Sequence, residues 1–456
     1  MKGLFHFFKA APARPADGPF DESAFRRLRW QTFLAMSVSY AMFYVCRLSF
    51  NVAKPALAES NLLSTTELGV IGSALFASYA IGKLVNGFLA DHANVARYMG
   101  LGLLITALIN LGMGMTTSAL VLTLMWAVNG WAQSMGVGPA VVSLARWYGD
   151  KERGTFYGLW SVAHNAGEAL TYIVVAAAIT AWGWQSGYWT ASAMGLFGVA
   201  LIVLFMHDSP QSRGYPSIAV IKGEPQEAEE GSVLRQQLSI LKNVNLWLLA
   251  LAAAGMSISR YAIFSWGIFF MENAKGYSTL KASTVISVSA ICGIFGTGLS
   301  GWISDRFFAG RREALAILFG LLNAVGLGMF LFIPGGHEWL DFLAMALFGT
   351  SLGVLLCYLG GLMAVDISSK KAAGAALGVI GIASYFGAAM GELISGFILD
   401  HNKVVLDGQK FYDFEQISLF WMGAIGFSVL LTCAFTLNTY RGRPGGPSPR
   451  LAPQQA

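Results

Sequence analysis

YMGLGLLITALINLGMGMTTSALVLTLMWAVNGWAQSMGVGPAVVSLA, residues 98–145, contains no Asp, Glu, Lys or Arg. A helix needs only about 20 apolar residues to cross about 30 Å of hydrocarbon, so the stretch is two membrane spans long. Residues 169–207 are equally uncharged and of similar length. Outward from these stretches the composition agrees: 55% of the 456 residues are hydrophobic and 12% are charged, against roughly 25% charged in soluble chains. Too few charges remain to cover a water-facing surface, which makes lipid the solvent for most of the molecule.

The net charge of +5 comes from basic residues scattered over short loops, not from a stripe, and nucleic acid is not an expected partner. Cys46, Cys292, Cys357 and Cys433 lie inside apolar segments without metal-ligand spacing, so they read as small core residues. No metal or cofactor is expected. The opening MKGLFHFFKAAPARPADGPF lacks the continuous apolar region and cleavage site of a signal peptide, and reads as a tail. There is no GxxxxGK nucleotide loop and no cluster of nucleophile, base and orienter, so an enzyme is not expected.

Apolar runs bounded by charge, Pro and Gly predict an all-α integral membrane protein with twelve transmembrane helices. They fall at about 30–55, 67–91, 98–116, 119–147, 155–182, 187–207, 245–272, 282–305, 313–334, 339–366, 373–399 and 416–438. A long polar stretch, 208–244, holds Pro210, Pro216, Pro225, Glu227, Glu229 and Glu230. It divides a six-helix bundle at 29–207 from another at 245–440, with tails at 1–28 and 441–456. Its end, VLRQQLSILKN, puts Leu234, Leu238 and Leu241 on one helical face, as in a helix lying on a membrane surface; a solvated linker helix fits as well.

With both termini on one side, 22 of the 30 Lys and Arg fall in the tails and the loops of that side. Five, Lys54, Lys275, Lys281, Lys403 and Lys410, fall opposite, and three lie within helices. Lys and Arg are retained in the cytoplasm. Both termini and the linker are therefore predicted there, in a multi-pass protein of a bacterial inner membrane.

The two halves repeat each other. GFLADHANVAR at 87–97 resembles GWISDRFFAGR at 301–311, and Arg47 and Arg260 are spaced by nearly the same offset. Arg153-Gly154 corresponds to Ala373-Gly374, and Gly167-Glu168 to Gly391-Glu392. Paired repeats with a site near the midplane are the architecture of secondary transporters.

Inside the predicted spans stand Arg47, Lys83, Arg260, His164, Glu168 and Glu392. A charge at the centre of a lipid-embedded helix costs about 2.5–3.5 kcal/mol on insertion scales, so such residues usually face a cavity or a partner. Arg260 is too far from either helix end to snorkel. Two symmetry-related guanidiniums can converge on one ligand, and their forks suit phosphate or carboxylate oxygens. Lys83 could join them, snorkel or pair with an acid. Tyr40 and Tyr44 share a helical face with Arg47 and could donate hydroxyls or simply pack. His164, one turn from Glu168, could bind, carry a proton or be a core histidine. Glu168 and Glu392 could be salt-bridge partners of the arginines, proton carriers or structural hydrogen bonders. Gly87, Asp91 and Arg97, with Gly301, Asp305, Arg306 and Arg311, read as gating and topology elements. Gly293, Gly296, Gly298 and Gly301 would let helices approach and rock.

YAMFYVCRLSF at 40–50, YAIGKLVNGFLADHANVAR at 79–97, ERGTFYGLWSVAHNAG at 152–167, SDRFFAGRRE at 304–313 and KKAAGAALG at 370–378 together resemble the organophosphate:phosphate antiporter family of the major facilitator superfamily. The family includes glycerol-3-phosphate and hexose-6-phosphate transporters and a related hexose-phosphate sensor. The resemblance implies the major facilitator fold and alternating access, with exchange of inorganic phosphate for a small anionic phosphate ester and no ATP. It also implies that Arg47 and Arg260 bind the phosphoryl group, helped by Lys83, His164, Tyr44 and Tyr40. The chain departs from the family at Leu48, where Lys is usual, and at Ser265, where Asp commonly precedes Trp266. LLCYLGG stands where the tenth helix often has Gly-Pro, and Glu168 and Glu392 look additional. A monomer in contact with membrane lipid is expected. Two alternatives stay open: a membrane sensor of hexose phosphate signalling to a histidine kinase, and a proton-coupled organic-anion symporter using Glu168 and Glu392.

Overall fold

The computed structural model describes residues 9–14, 20–223, 240–307, 312–368, 373–407 and 409–441. The first bundle is built from α1 (Glu22–Glu59), α2 (Thr65–His92), α3 (Val95–Met113), α4 (Ala119–Gln133), α5 (Val137–Trp147), α6 (Asp150–Leu170), α7 (Ala176–Trp182) and α8 (Trp184–Phe205). After a short α9 (Ile218–Lys222), the second has α10 (Val244–Lys275), α11 (Thr279–Phe307), α12 (Arg312–Phe332), α13 (Glu338–Cys357), α14 (Met363–Asp366), α15 (Ala373–His401) and α16 (Glu415–Arg441). A two-stranded hairpin, β1 (Lys403–Leu406) and β2 (Gln409–Tyr412), joins the last two helices. Single π turns, Thr171–Val175 and Tyr358–Leu362, connect α6 to α7 and α13 to α14.

Helix starts follow local chemistry. The Asp21 carboxylate accepts from the Ser23 and Ala24 amides to open α1, and Ser64 and Glu67 cap α2 reciprocally, satisfying donors that a helix start leaves open.

Eleven helices among the described residues are long and apolar enough to cross a membrane. The fourth expected span, 119–147, is the exception. It breaks at Ser134–Gly136 into α4 and α5, of 15 and 11 residues, each too short at 1.5 Å per residue to cross the hydrocarbon alone. Pro139 explains the break: its ring opposes the carbonyl four residues earlier, at Met135, and it tolerates only the first turn of a new helix. The opposite error occurs at Pro55. There α1 continues through the proline to Glu59, so Lys54, expected in a loop, is fully buried within a helix. The linker helix expected at 233–243 lies mostly outside the described residues.

Glycine sets the closest helix contacts. A Cβ on Gly349 would stand 2.1 Å from the Ser289 carbonyl oxygen, and one on Gly296 2.1 Å from that of Thr350, so α11 and α13 touch backbone to backbone. Gly298 faces open space instead. Between the bundles, α2 and α15 meet through Gly69 and Gly396, where a Cβ would reach the Glu392 and Thr65 carbonyls at 2.6 and 2.4 Å.

Candidate functional site

α10 carries Arg260 to the centre of the molecule, where its Nη2 donates to Glu168 Oε1 of α6 at 2.5 Å. The pair joins the two bundles and is largely buried, the arginine side chain keeping 12% exposure. That residue of exposure matters because it faces a cavity of about 540 Å³ lined by Lys83, Tyr157, Ser257, Arg260, Tyr261 and Tyr385 among others. Lys83 reaches across from α2, with Nζ 5.4 Å from the Tyr385 ring centre, and it packs against Gly381.

Arg47 is not among the described residues lining this cavity. It lies behind the tyrosines, 5% exposed, with its guanidinium 4.4 Å from the Tyr79 ring and 5.5 Å from those of Phe76 and Tyr385. Its Nε and Nη2 have no hydrogen-bond partner among the described residues. Aromatic faces stabilise a cation by roughly 0.5–2 kcal/mol each, but they leave its N–H donors unused. Tyr44, Tyr261 and Tyr385 lie within electrostatic reach of both arginines, so the two guanidiniums flank one tyrosine cluster. Tyr79 and Tyr385 close it, their rings 4.4 Å apart.

Tyr40 and His164 adjoin the cluster at Tyr44, and none of these three lines the cavity. The Tyr44 ring is 5.7 Å from His164 and 5.6 Å from Tyr40, and Tyr40 packs on Trp160 at 4.6 Å. Glu168 and Arg260 are the charged groups within reach of His164.

Glu392 does not meet an arginine. It accepts from Lys54 Nζ at 2.7 Å and from Trp266 Nε1 at 3.0 Å. Lys54 also donates to Ser265 Oγ at 2.5 Å, and Ser265 Oγ in turn donates to Asn51 Oδ1 at 3.2 Å. Asn51 Nδ2 and the Tyr172 hydroxyl both donate to the Phe264 carbonyl, at 3.0 and 2.5 Å. This layer ties α1 and the π turn Thr171–Val175 of one bundle to α10 and α15 of the other. On its far side a second cavity, of about 790 Å³, is lined by Pro55, Glu59, Phe269, Glu272, Lys410 and Tyr412. The layer thus lies between the two cavities.

Lys54, Ser265, Tyr79, Tyr261 and Tyr385 escaped the sequence reading as site residues. Lys54 was hidden by the proline that follows it. Tyr79 stands one turn before Lys83 and Tyr261 beside Arg260, which was the available signal; Tyr385 had only its place on the helix of Glu392. Of the gating residues, Gly87 lies in α2 and Arg97 on the exposed side of α3. The side chains of Asp91, Asp305 and Arg306 and the burial of Gly301 lie outside the described residues, and so does Arg311 altogether.

The model of the Major Facilitator Superfamily matches residues 32–392. A probable hexose phosphate transport protein of Chlamydia pneumoniae is 34% identical over 391 residues, covering 82% of this chain and 85% of the relative. The glycerol-3-phosphate transporter of Bacillus subtilis (strain 168) is 32% identical over 414 residues, 87% of this chain and 92% of its own. The membrane sensor protein UhpC of Escherichia coli (strain K12) is 30% identical over 413 residues, with the same coverage. Among solved structures, a bacterial homologue of the human lysosomal transporter Spinster, inward-facing and unoccupied, superposes with a TM-score of 0.70 at 16% identity, over 91% of this chain and 97% of that one.

Proposed function

The chain belongs to the Major Facilitator Superfamily, and from that premise we propose that it exchanges a phosphorylated small molecule for inorganic phosphate by alternating access. A sugar phosphate such as a hexose 6-phosphate fits best, with glycerol 3-phosphate next. Family membership makes it a multi-pass membrane transport protein, not an enzyme. The observation that carries the substrate class is the cationic site itself: Arg260 and Lys83 in the wall of one cavity, and Arg47 behind with donors that find no partner among the described residues. A phosphate monoester brings about two negative charges and several acceptor oxygens, which suits guanidinium forks. The names of the relatives from Chlamydia and Bacillus support the same class.

The mechanism is a competition. Glu168 is the group paired with Arg260 in the structure. An entering phosphoryl group takes over the guanidinium, Glu168 is released, and a contact that held α6 to α10 is exchanged for one made through the substrate. The bundles can then close around the loaded site. Because both acids already face cations, displacement is favoured over proton carriage, and the proton-coupled organic-anion symporter is the weaker reading.

The likeness to UhpC favours one rival, a membrane sensor of hexose phosphate acting through a histidine kinase. On our reading both termini and the 208–244 linker lie in the cytoplasm of a bacterial cell and the protein acts as a monomer; the crowding of Lys and Arg in the tails and the loops of their side supports this topology.

Proteoliposomes loaded with phosphate should accumulate labelled glucose 6-phosphate by counterflow, and Arg47→Lys and Arg260→Lys should each slow it about ten- to hundredfold. A wild-type rate in either variant would overturn the binding-site assignment. Tight binding with negligible flux in the wild type would replace exchange by sensing.

A further inference from the structure

The face on which residues 9–14 lie has another cavity, of about 500 Å³, which shares no lining residue with the central one. One half is apolar. Leu104 of α3 and Val199 and Val203 of α8 line it, and Val203 is 74% exposed. Gly100 brings the two helices together there, since a Cβ on it would stand 3.3 Å from the Ile202 side chain. This groove continues into the exposed apolar surface of the same helices at Leu108 and Phe197, which is the surface a bilayer would cover.

The mouth is basic, lined by Arg14, Arg97 and Arg213. His207 also lines it but stays uncharged at neutral pH, its pKa lowered to about 4 by burial and by Arg213, whose Nη2 lies 2.9 Å from Nδ1. The acid in the lining, Asp208, is already neutralised. Its Oδ1 accepts from Arg146 at 2.6 Å and from the Val95 amide at 2.8 Å, and its Oδ2 from the Ala11 amide at 2.8 Å. That last bond ties residues 9–14 across the mouth, together with the Lys9–Ala93 bridge and the Arg14 amide donating to the Gln211 carbonyl at 2.9 Å. The segment is thereby held where Arg14 adds a guanidinium to the rim.

We propose that this cavity binds an anionic phospholipid of the adjacent leaflet. The headgroup phosphate lies among the three arginines and an acyl chain lies in the groove between α3 and α8. Basic pockets between spans are a recurring form of lipid recognition, and a guanidinium rim supplies charge-assisted donors to phosphate oxygens. A soluble phosphate would use the rim and leave the apolar half empty, which is why the geometry favours lipid.

The test uses the full-length protein in maltoside detergent, with thermal unfolding followed during titration with phosphatidylglycerol, phosphatidylcholine or inorganic phosphate. Phosphatidylglycerol should raise the midpoint by several degrees, phosphatidylcholine should not, and phosphate should act only through the transport site, as shown by loss of its effect in Arg260→Lys. Arg14→Gln and Arg213→Gln should each weaken the phosphatidylglycerol effect about fivefold in apparent affinity, the worth of one basic residue near an anionic surface. Val203→Trp, which fills the groove and keeps every charge, should weaken it as well. Equal stabilisation by phosphatidylcholine, an unchanged titration in the arginine variants, or an unchanged titration in Val203→Trp would each overturn the proposal. Should one variant fail to fold, the others still decide it.

Discussion

Lys54 is fully buried against a single carboxylate, with an indole and a hydroxyl around the pair. Removing one member leaves the other charge buried and uncompensated, which destabilises by about 3–5 kcal/mol, whereas replacing both by apolar groups is often neutral. Lys54→Met should therefore lower the unfolding midpoint markedly, and the double change Lys54→Met/Glu392→Met should restore most of it. A double variant as unstable as the single one would show that the pair contributes by shape alone. At this scale the sequence was readable where charge was scarce: Arg47, Lys83, Arg260 and Glu168 stood out because each interrupted an apolar run. Lys54 did not, because Pro55 looks like a helix end, and only tertiary packing decides whether a helix bends past a proline. The Ser265 departure from the family's Asp gains a reason as well. Ser265 receives a hydrogen bond from Lys54, whose charge is balanced by Glu392 two helices away.

Between elements, contact is governed by the absence of side chains. Gly349→Ala would drive a methyl into the Ser289 carbonyl region, and such overpacking costs about 1–3 kcal/mol. Gly298→Ala on the partner helix meets nothing within 4 Å and should be neutral or stabilise by up to about 1 kcal/mol through helix propensity. Thermal unfolding of the two variants checks the contrast, and equal effects would remove the close-packing account. Hydropathy located the eleven helical stretches among the described residues that are long and apolar enough to cross a membrane, because burial in lipid is a property of composition. It did not locate the break at Ser134–Gly136 or the π turns at Thr171–Val175 and Tyr358–Leu362, which alter hydrogen bonding without altering polarity. Nor could alternation in so short a segment as Lys403–Tyr412 distinguish a hairpin from a loop.

For the molecule as a whole, the central cavity lies on one side of the Lys54–Glu392 layer and the second cavity on the other. A cysteine placed at Ser257, in a background without Cys46, Cys292, Cys357 and Cys433, should react with a membrane-impermeant thiol reagent from the side of the termini, and saturating phosphate should slow that reaction. Labelling only from the opposite side would reverse the assignment of the opening. The internal repeat announced two halves and a shared centre, but the side on which they part is a property of their contacts and was not written in the repeat. Those contacts are unequally dry: the Lys54–Glu392 side chains are 0% and 1% exposed, while Arg260 at 12% borders the cavity. Water can therefore loosen the second pair and gives no such help with the first, so the door beside Arg260 is the easier of the two to open.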